Sequence, residues 1–292
     1  MNSQDIPKYS RNFLYNVSAL FSSSQVLKLN DKKQIKHISK VFDATTIKKN
    51  RKHTIADSYN CFYNILLSQY RCEYVYKNEI ARQLLLKKHS FNDAKLFTEV
   101  EVASSKADVL IINGTSTVYE IKTELDTFDR LQNQLNSYNL VFDKVYVVTH
   151  PTKISTLKTL IDKKVGIIVL DDEGNLLTIR QAVSNKKNLS TEHIFGILNK
   201  EEYLNIIKKH FGYIPIAQPV YIYEVCKNLF STLDSKVAHD YMVKELKKRK
   251  SSSYLNNFLD SLPDSLKLVA VNTKLTSKDC NLINNGLISR ID

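Results

Sequence analysis

The sequence predicts an α/β fold, a central sheet covered by helices on both faces, with helical N- and C-terminal regions. Three observations carry this. Short β-branched runs bounded by Asn, Gly, Asp or Pro recur between residues 95 and 171. Segments of helical period lie between them. Two of the runs, VLII and GIIVL, are almost continuously apolar, as strands buried on both faces are.

Taken in order, residues 11–50 place Phe13, Leu14, Val17, Leu20 and Phe21, then Val26, Leu29, Ile35, Ile38, Val41 and Phe42, at helical spacing among lysines. This reads as two or three basic amphipathic helices. A second helical block spans 56–89, with Tyr59, Phe62, Tyr63, Leu66 and Leu67 as its core face, followed by Ile80, Ala81, Leu84 and Leu85. Strands are expected at 95–103, 107–113, 117–123, 144–149 and 165–171, and helices at 128–142 and 154–164. After the polar string SNKKNLSTEH, residues 192–212, 219–231, 236–250 and 254–262 allow further helices. The expected segments are therefore a basic helical region (1–55), an α/β core (56–185) and a helical C-terminal domain (190–292).

Length and composition exclude several classes. A chain of 292 residues with 43% hydrophobic and 25% charged residues can bury a sizeable core. Cys61, Cys72, Cys226 and Cys280 form no CxxC pair, and the seven histidines show no HxH or HExxH spacing, so neither a disulfide framework nor a zinc site is signalled. No glycine-rich loop of the nucleotide-binding kind occurs. The first residues lack a signal-peptide pattern and no apolar run is long enough to cross a bilayer, so a cytoplasmic protein without a membrane partner is expected.

The net charge of +12 points to a polyanionic partner, nucleic acid first. More than half of the surplus lies in residues 28–53, where nine Lys and Arg face only Asp31 and Asp43, a balance of nine minus two. The run KELKKRK (244–250) is a second basic segment, either a solvated helix end or a phosphate contact.

The chemistry centres on KADVLIINGTSTVYEIK (106–122). Strand 107–112, a turn through Asn113 and Gly114, and strand 117–123 make a hairpin. Alternation puts Glu120 and Lys122 on one face, and antiparallel pairing brings Asp108 toward the Glu120 end of its partner. Two carboxylates and an ammonium would converge. Asp108 and Glu120, with the Ile121 backbone carbonyl, would then bind a hard divalent cation, and Lys122 would orient or help deprotonate a water attacking a phosphodiester. The alternative is a structural ion pair at a sheet end. The triplet (Asp/Glu)-x-Lys occurs six times in the chain, at Asp31, Asp93, Glu120, Asp162, Asp234 and Glu245. Only the copy at Glu120 lies in an apolar strand with an acid on the strand before it.

These residues resemble the PD-(D/E)XK nuclease superfamily, the restriction-endonuclease-like fold. The resemblance runs through Glu79 in KNEIARQLL, Asp108 in KAD, Glu120 and Lys122 in YEIK, and Gln134 with Tyr138 in QLNSY. The last pair is similar to the Q-x-x-x-Y signature of the exonuclease-like branch, and its i,i+4 spacing puts both side chains on one helix face. More narrowly, residues 10–260 resemble a bacterial family of largely uncharacterised proteins within that superfamily. The resemblance implies a mixed central sheet, Asp108 and Glu120 as metal ligands, Lys122 as the catalytic lysine and Mg²⁺ or Mn²⁺ as cofactor. It also implies Glu79 as an accessory acid for a second metal or a water, and Gln134 and Tyr138 as supports of the site or DNA contacts. Ala107 stands where the superfamily's name has proline.

Other candidates have structural readings. Glu99 and Glu101 are extra ligands or solvent-facing residues of an edge strand. At the start of the following helix, Asp126 and Asp129 cap it or interact with its positive end, and Arg130 alternatively reaches a phosphate. His150 ends a strand beside Pro151. The sequence thus predicts a metal-dependent DNA endonuclease, serving phage defence or mobile-element biology, with basic helices holding the DNA. Between Asp108 and Asp143 six acids face Lys122 and Arg130, so a metal is needed before a phosphate can approach. The alternative is a DNA-binding or regulatory subunit with an idle nuclease site, targeted by a partner encoded in the same operon. A homodimer would suit double-strand cutting, yet no interface is specified.

Overall fold

The computed structural model describes residues 7–47, 52–86, 94–249 and 253–291. The chain divides into two compact units. The first comprises residues 1–88, 170–176 and 251–292, and the second comprises 89–169 and 177–250. This division differs from the three consecutive segments expected. Polar strings in a sequence mark surface turns, and nothing local reveals that the chain after residue 250 returns to the N-terminal helices.

The first unit is helical. Helices α1 (Arg11–Ala19), α2 (Ser23–Val26) and α3 (Lys32–Asp43) precede α4 (Ile55–Gln69) and α5 (Glu73–Glu79), which continues as π-helical turns over Ile80–Leu86. Lys48, Lys49 and Arg51 of the basic segment lie outside the described residues. Helix α4 begins at a reciprocal cap in which Thr54 accepts from Asp57 N and the Asp57 carboxylate accepts from Thr54 N. Its buried face carries Tyr59, Phe62, Tyr63 and Leu66, and the Tyr59 hydroxyl donates to the Leu20 carbonyl at 3.0 Å. The C-terminal α12 (Ser253–Ser261), α13 (Lys267–Asn272) and α14 (Ser277–Leu287) complete the unit. At Gly286 of α14 the Leu29 carbonyl approaches so closely that an added Cβ would stand 2.2 Å from its oxygen.

The second unit holds a mixed six-stranded sheet in the order β1 (Lys95–Val102), β2 (Ser105–Ile112), β3 (Ser116–Lys122), β4 (Lys144–Thr149), β5 (Gly166–Leu170) and β6 (Leu176–Arg180). The first three strands pair antiparallel, whereas β3–β4 and β4–β5 are parallel. Five strands lie where the β-branched runs predict them. The sixth escapes sequence reading because its side chains alternate poorly and Leu177 and Ile179 remain exposed. Tyr119, Tyr146 and Gly166 are aligned across three strands; the two rings stack at 5.5 Å, and Tyr146 occupies the space that a side chain at 166 would need.

Helices α6 (Leu131–Asn139) and α7 (Ile154–Leu160) follow β3 and β4. Helices α8 (Thr191–Gly196), α9 (Lys200–Phe211), α10 (Ile222–Ser231) and α11 (Ser235–Lys248) share the sheet's core: Phe195, Tyr203, Phe230 and Met242 belong to one buried cluster with Leu110, Val118, Leu135 and Val147. The polar string at 184–193 is a seam, tied down where Asn185 N and Ser190 N donate to the Asp143 and Leu140 carbonyls. Among the described residues no helix is long and apolar enough to cross a membrane.

Candidate active site

The β2–β3 register pairs Val109 with Tyr119, so the next position sets Asp108 opposite Glu120. There the ladder ends. In a continued antiparallel pairing the Ile121 N–H and C=O would both meet Ala107. Instead the Ile121 N–H donates to Asp108 Oδ2 at 2.7 Å. Because the N–H and C=O of one strand residue point to the same neighbour, the Ile121 carbonyl also faces the β2 side.

Glu120 is only 1% exposed and is engaged on both oxygens. Its Oε1 lies 2.9 Å from Lys122 Nζ, and its Oε2 accepts from the Tyr138 hydroxyl at 2.7 Å. Lys122, also buried, donates to Gln134 Oε1 at 2.9 Å. The parallel β4 fixes the lysine's backbone, since Thr149 lies opposite Lys122 and donates through Oγ1 to its carbonyl at 2.7 Å. Gln134 and Tyr138 project from one face of α6. Burial pushes the Tyr138 phenol well above its ordinary range, and the nearby Glu120 and Asp108 charges push it further. It therefore acts as a neutral hydroxyl, one proton shared between Glu120 and the Lys106 carbonyl at 2.8 Å.

The structure thus brings together Asp108, Glu120, Ile121, Lys122, Gln134 and Tyr138. Glu79 belongs to the first unit, where Tyr63 (2.7 Å), Arg82 Nη2 (2.7 Å) and Gln83 all donate to its buried carboxylate. It lines a cavity of about 390 Å³ with Arg82, Asn60 and Asp264. Glu99 sits between the Thr98–Val109 and Val100–Ala107 pairs, opposite Asp108, with a φ of +55° that non-glycine residues rarely adopt. Carboxylate oxygens of Glu99 and Asp108 come within 4.8 Å, and Lys106 Nζ lies 3.0 Å from Glu99. Glu101 pairs in register with Lys106.

The acids expected to cap α6 do something else. Asp126 accepts from Thr123 N (2.8 Å) and Thr123 Oγ1 (2.7 Å), pinning the end of β3, and Asp129 accepts from Thr127 Oγ1. Arg130 occupies the N-cap position without a side-chain cap. His150 Nε2 stands 3.6 Å from Glu124, and its Nδ1 is 2.8 Å from Thr152 Oγ1. No short-range pattern flags the Lys106 carbonyl or Thr149, because both act through pairing between strands or helices distant in sequence.

Two carboxylates and a backbone carbonyl form a hard-oxygen donor set, which fits Mg²⁺ or Mn²⁺ and disfavours thiolate-preferring metals. Each engaged oxygen of Glu120 keeps a second lone pair for a cation.

A family model described as "Bacteriophage P4 protein cII" matches residues 67–270, well over half of the chain. Protein cII of Enterobacteria phage P4 is 31% identical over 127 residues, 43% of this chain. The match covers 46% of that protein, so the chain spans about half the length of this relative. A solved structure of a protein of unknown function from Silicibacter pomeroyi, 14% identical, covers 53% of this chain and 80% of its own with a TM-score of 0.30, too slight a likeness to inform the fold.

Proposed function

The chain belongs to the bacteriophage P4 protein cII family, and we propose that it is a metal-dependent DNA endonuclease with a restriction-endonuclease-like core. One observation carries this reading: on one face of a buried hairpin, Glu120 and Lys122 pair opposite Asp108, and both are bonded to the α6 side chains Gln134 and Tyr138. Asp108, Glu120 and the Ile121 carbonyl would hold Mg²⁺ or Mn²⁺. The bound cation would offset phosphate charge and make a water more acidic. Gln134 fixes the Lys122 ammonium, whose role is to orient the attacking water; Tyr138 holds the Glu120 carboxylate in place. Glu99, facing Asp108, is paired with Lys106 and is a candidate further ligand. Glu79, expected as an accessory acid, lies in the first unit, where it is bonded to that unit's own donors. The relative from a phage supports work in mobile-element biology or phage defence, in the cytoplasm.

A second reading is favoured by the same network: both Glu120 oxygens are already engaged by the protein's own donors. In that reading the site is idle and the chain is a DNA-binding or regulatory subunit, directed by a protein partner or a second copy. Purified protein is incubated with supercoiled plasmid and Mg²⁺ or Mn²⁺, beside Glu120→Ala and Lys122→Ala. Metal-dependent nicking lost in both variants supports the endonuclease. Salt-sensitive binding without cleavage under either metal supports the subunit.

A further inference from the structure

Helix α3 has two opposed faces. Gln34, Ile38 and Phe42 are buried at i, i+4 and i+8, and Lys32, Lys36 and Lys40, two residues out of phase and so about 200° around the helix, are exposed. Lys33 and His37 widen the exposed face, and Lys28 extends it before the helix begins. Asp31 lies at its N-terminus but is used as the cap, accepting from Lys33 N at 2.8 Å. Among the described residues none of Lys28, Lys32, Lys33, Lys36 and Lys40 forms an ion pair.

The other basic run is built differently. At the end of α11, Lys248 pairs with Glu245, Arg249 grips Glu202 at 2.6 and 2.8 Å, and Lys244 lies over the Tyr241 ring. Those cations already have partners in the protein, and Lys250 lies outside the described residues. Among the described residues of these two runs, the α11 end is partly compensated, with Lys247 free of an ion pair, whereas none of the α3 lysines has one.

We infer that the exposed face of α3, through Lys32, Lys36 and Lys40, is a docking surface for the phosphate backbone of duplex DNA. From Lys32 to Lys40 the helix rises roughly 12 Å, over which one strand of DNA presents about three phosphates. A row of lysines at one-turn spacing matches a linear polyanion. A membrane surface is a poorer fit, because adsorbing helices insert an apolar face and that of α3 is spent on the core. The inference rests on the reading of nucleic acid as substrate, yet needs no catalysis.

The test measures binding of the full chain to a fluorescent DNA duplex in EDTA across a salt series, beside the Lys32→Gln/Lys36→Gln/Lys40→Gln variant and the same three positions changed to Arg. Circular dichroism of each variant establishes that α3 remains folded. The Gln variant is expected to flatten the slope of log affinity against log salt by roughly 2.7, about 0.9 per lost phosphate contact. The Arg variant is expected to keep the wild-type slope. Equal slopes for wild type and Gln variant overturn the inference, as does a Gln variant that loses only its binding to phosphatidylserine vesicles. Wild-type cleavage with unchanged binding by the Gln variant sinks this inference alone. Lysine-dependent binding without cleavage in Mg²⁺ or Mn²⁺ sinks the nuclease reading alone.

Discussion

Tyr138 ties Glu120 on β3 to the neighbouring strand β2 at the open end of the hairpin: its hydroxyl lies 2.7 Å from Glu120 Oε2 and 2.8 Å from the Lys106 carbonyl. Helix α6 is thereby fastened to both β2 and β3 through one atom. Tyr138→Phe removes that atom and little else. It takes a donor from a buried carboxylate, so a loss of about 1.5–3 kcal/mol in stability is expected. Urea denaturation checks it, and an unchanged midpoint would mean that the hydroxyl is not an anchor. Cleavage by the folded variant should also fall, because Glu120 gains freedom to turn from its ligand position.

The Glu120–Lys122 pair is almost fully buried, so its members should be strongly coupled. Lys122→Met leaves a carboxylate without its cation, at an expected cost of about 3–5 kcal/mol. Adding Glu120→Gln to that variant removes the stranded charge and should recover much of the loss. A double-mutant cycle by chemical denaturation measures this, and additive losses would show that solvent already screens the pair.

A pH dependence arises far from this chemistry, at His239 on α11. Its Nε2 is 2.8 Å from Ser116 Oγ at the start of β3, and its Nδ1 is 3.3 Å from Asp240. Burial pushes its pKa below the ordinary histidine value, with Lys186 acting in the same direction and Asp240 and Asp143 opposing. The unfolded chain therefore takes up a proton before the folded one does. Stability is complete above about pH 6.5 and is lost as pH falls from there through the lowered folded pKa. Melting temperature should decline from pH 7 toward pH 5, roughly the range in which histidine titrates, and His239→Gln should flatten that decline. An equal decline in the variant would assign it to groups other than His239; Asp143, whose carboxyl is held below its usual range, contributes only at lower pH.

Residues joined by a short period or a tight turn were legible in the sequence. Alternation aligns Glu120 with Lys122, the Asn113–Gly114 turn returns Asp108 to them, and i,i+4 spacing aligns Gln134 with Tyr138. What pairing alone decides was not legible. Glu99 faces Asp108 through the β1–β2 register, at a position whose φ is positive. Glu79 carries the same motif-like spacing whether or not Tyr63, Arg82 and Gln83 surround it. The basic runs at α3 and α11 look alike as text, and the placement of Glu202 and Glu245 gives Arg249 and Lys248 of the second run their partners. The return of α12–α14 to the N-terminal helices is a contact between chain ends, beyond any local window.

Metal binding provides a test that does not depend on turnover. A cation that binds the folded protein and not the unfolded chain raises stability by about 2.7 kcal/mol at a concentration 100-fold above its dissociation constant. Mg²⁺ or Mn²⁺ should therefore raise the melting temperature of the wild type, in a manner saturable with concentration. Asp108→Asn keeps an oxygen able to accept from Ile121 N but loses the charge a cation needs, so its melting temperature should not respond. Ca²⁺, which prefers the same oxygen donors, should compete for the site. Lys122→Met should sharpen the response, because removing the ammonium at 2.9 Å leaves Glu120 without its internal cation. A wild type whose stability ignores all three ions would remove the metal from the site and leave the Glu120–Lys122 pair as an ion pair of the fold.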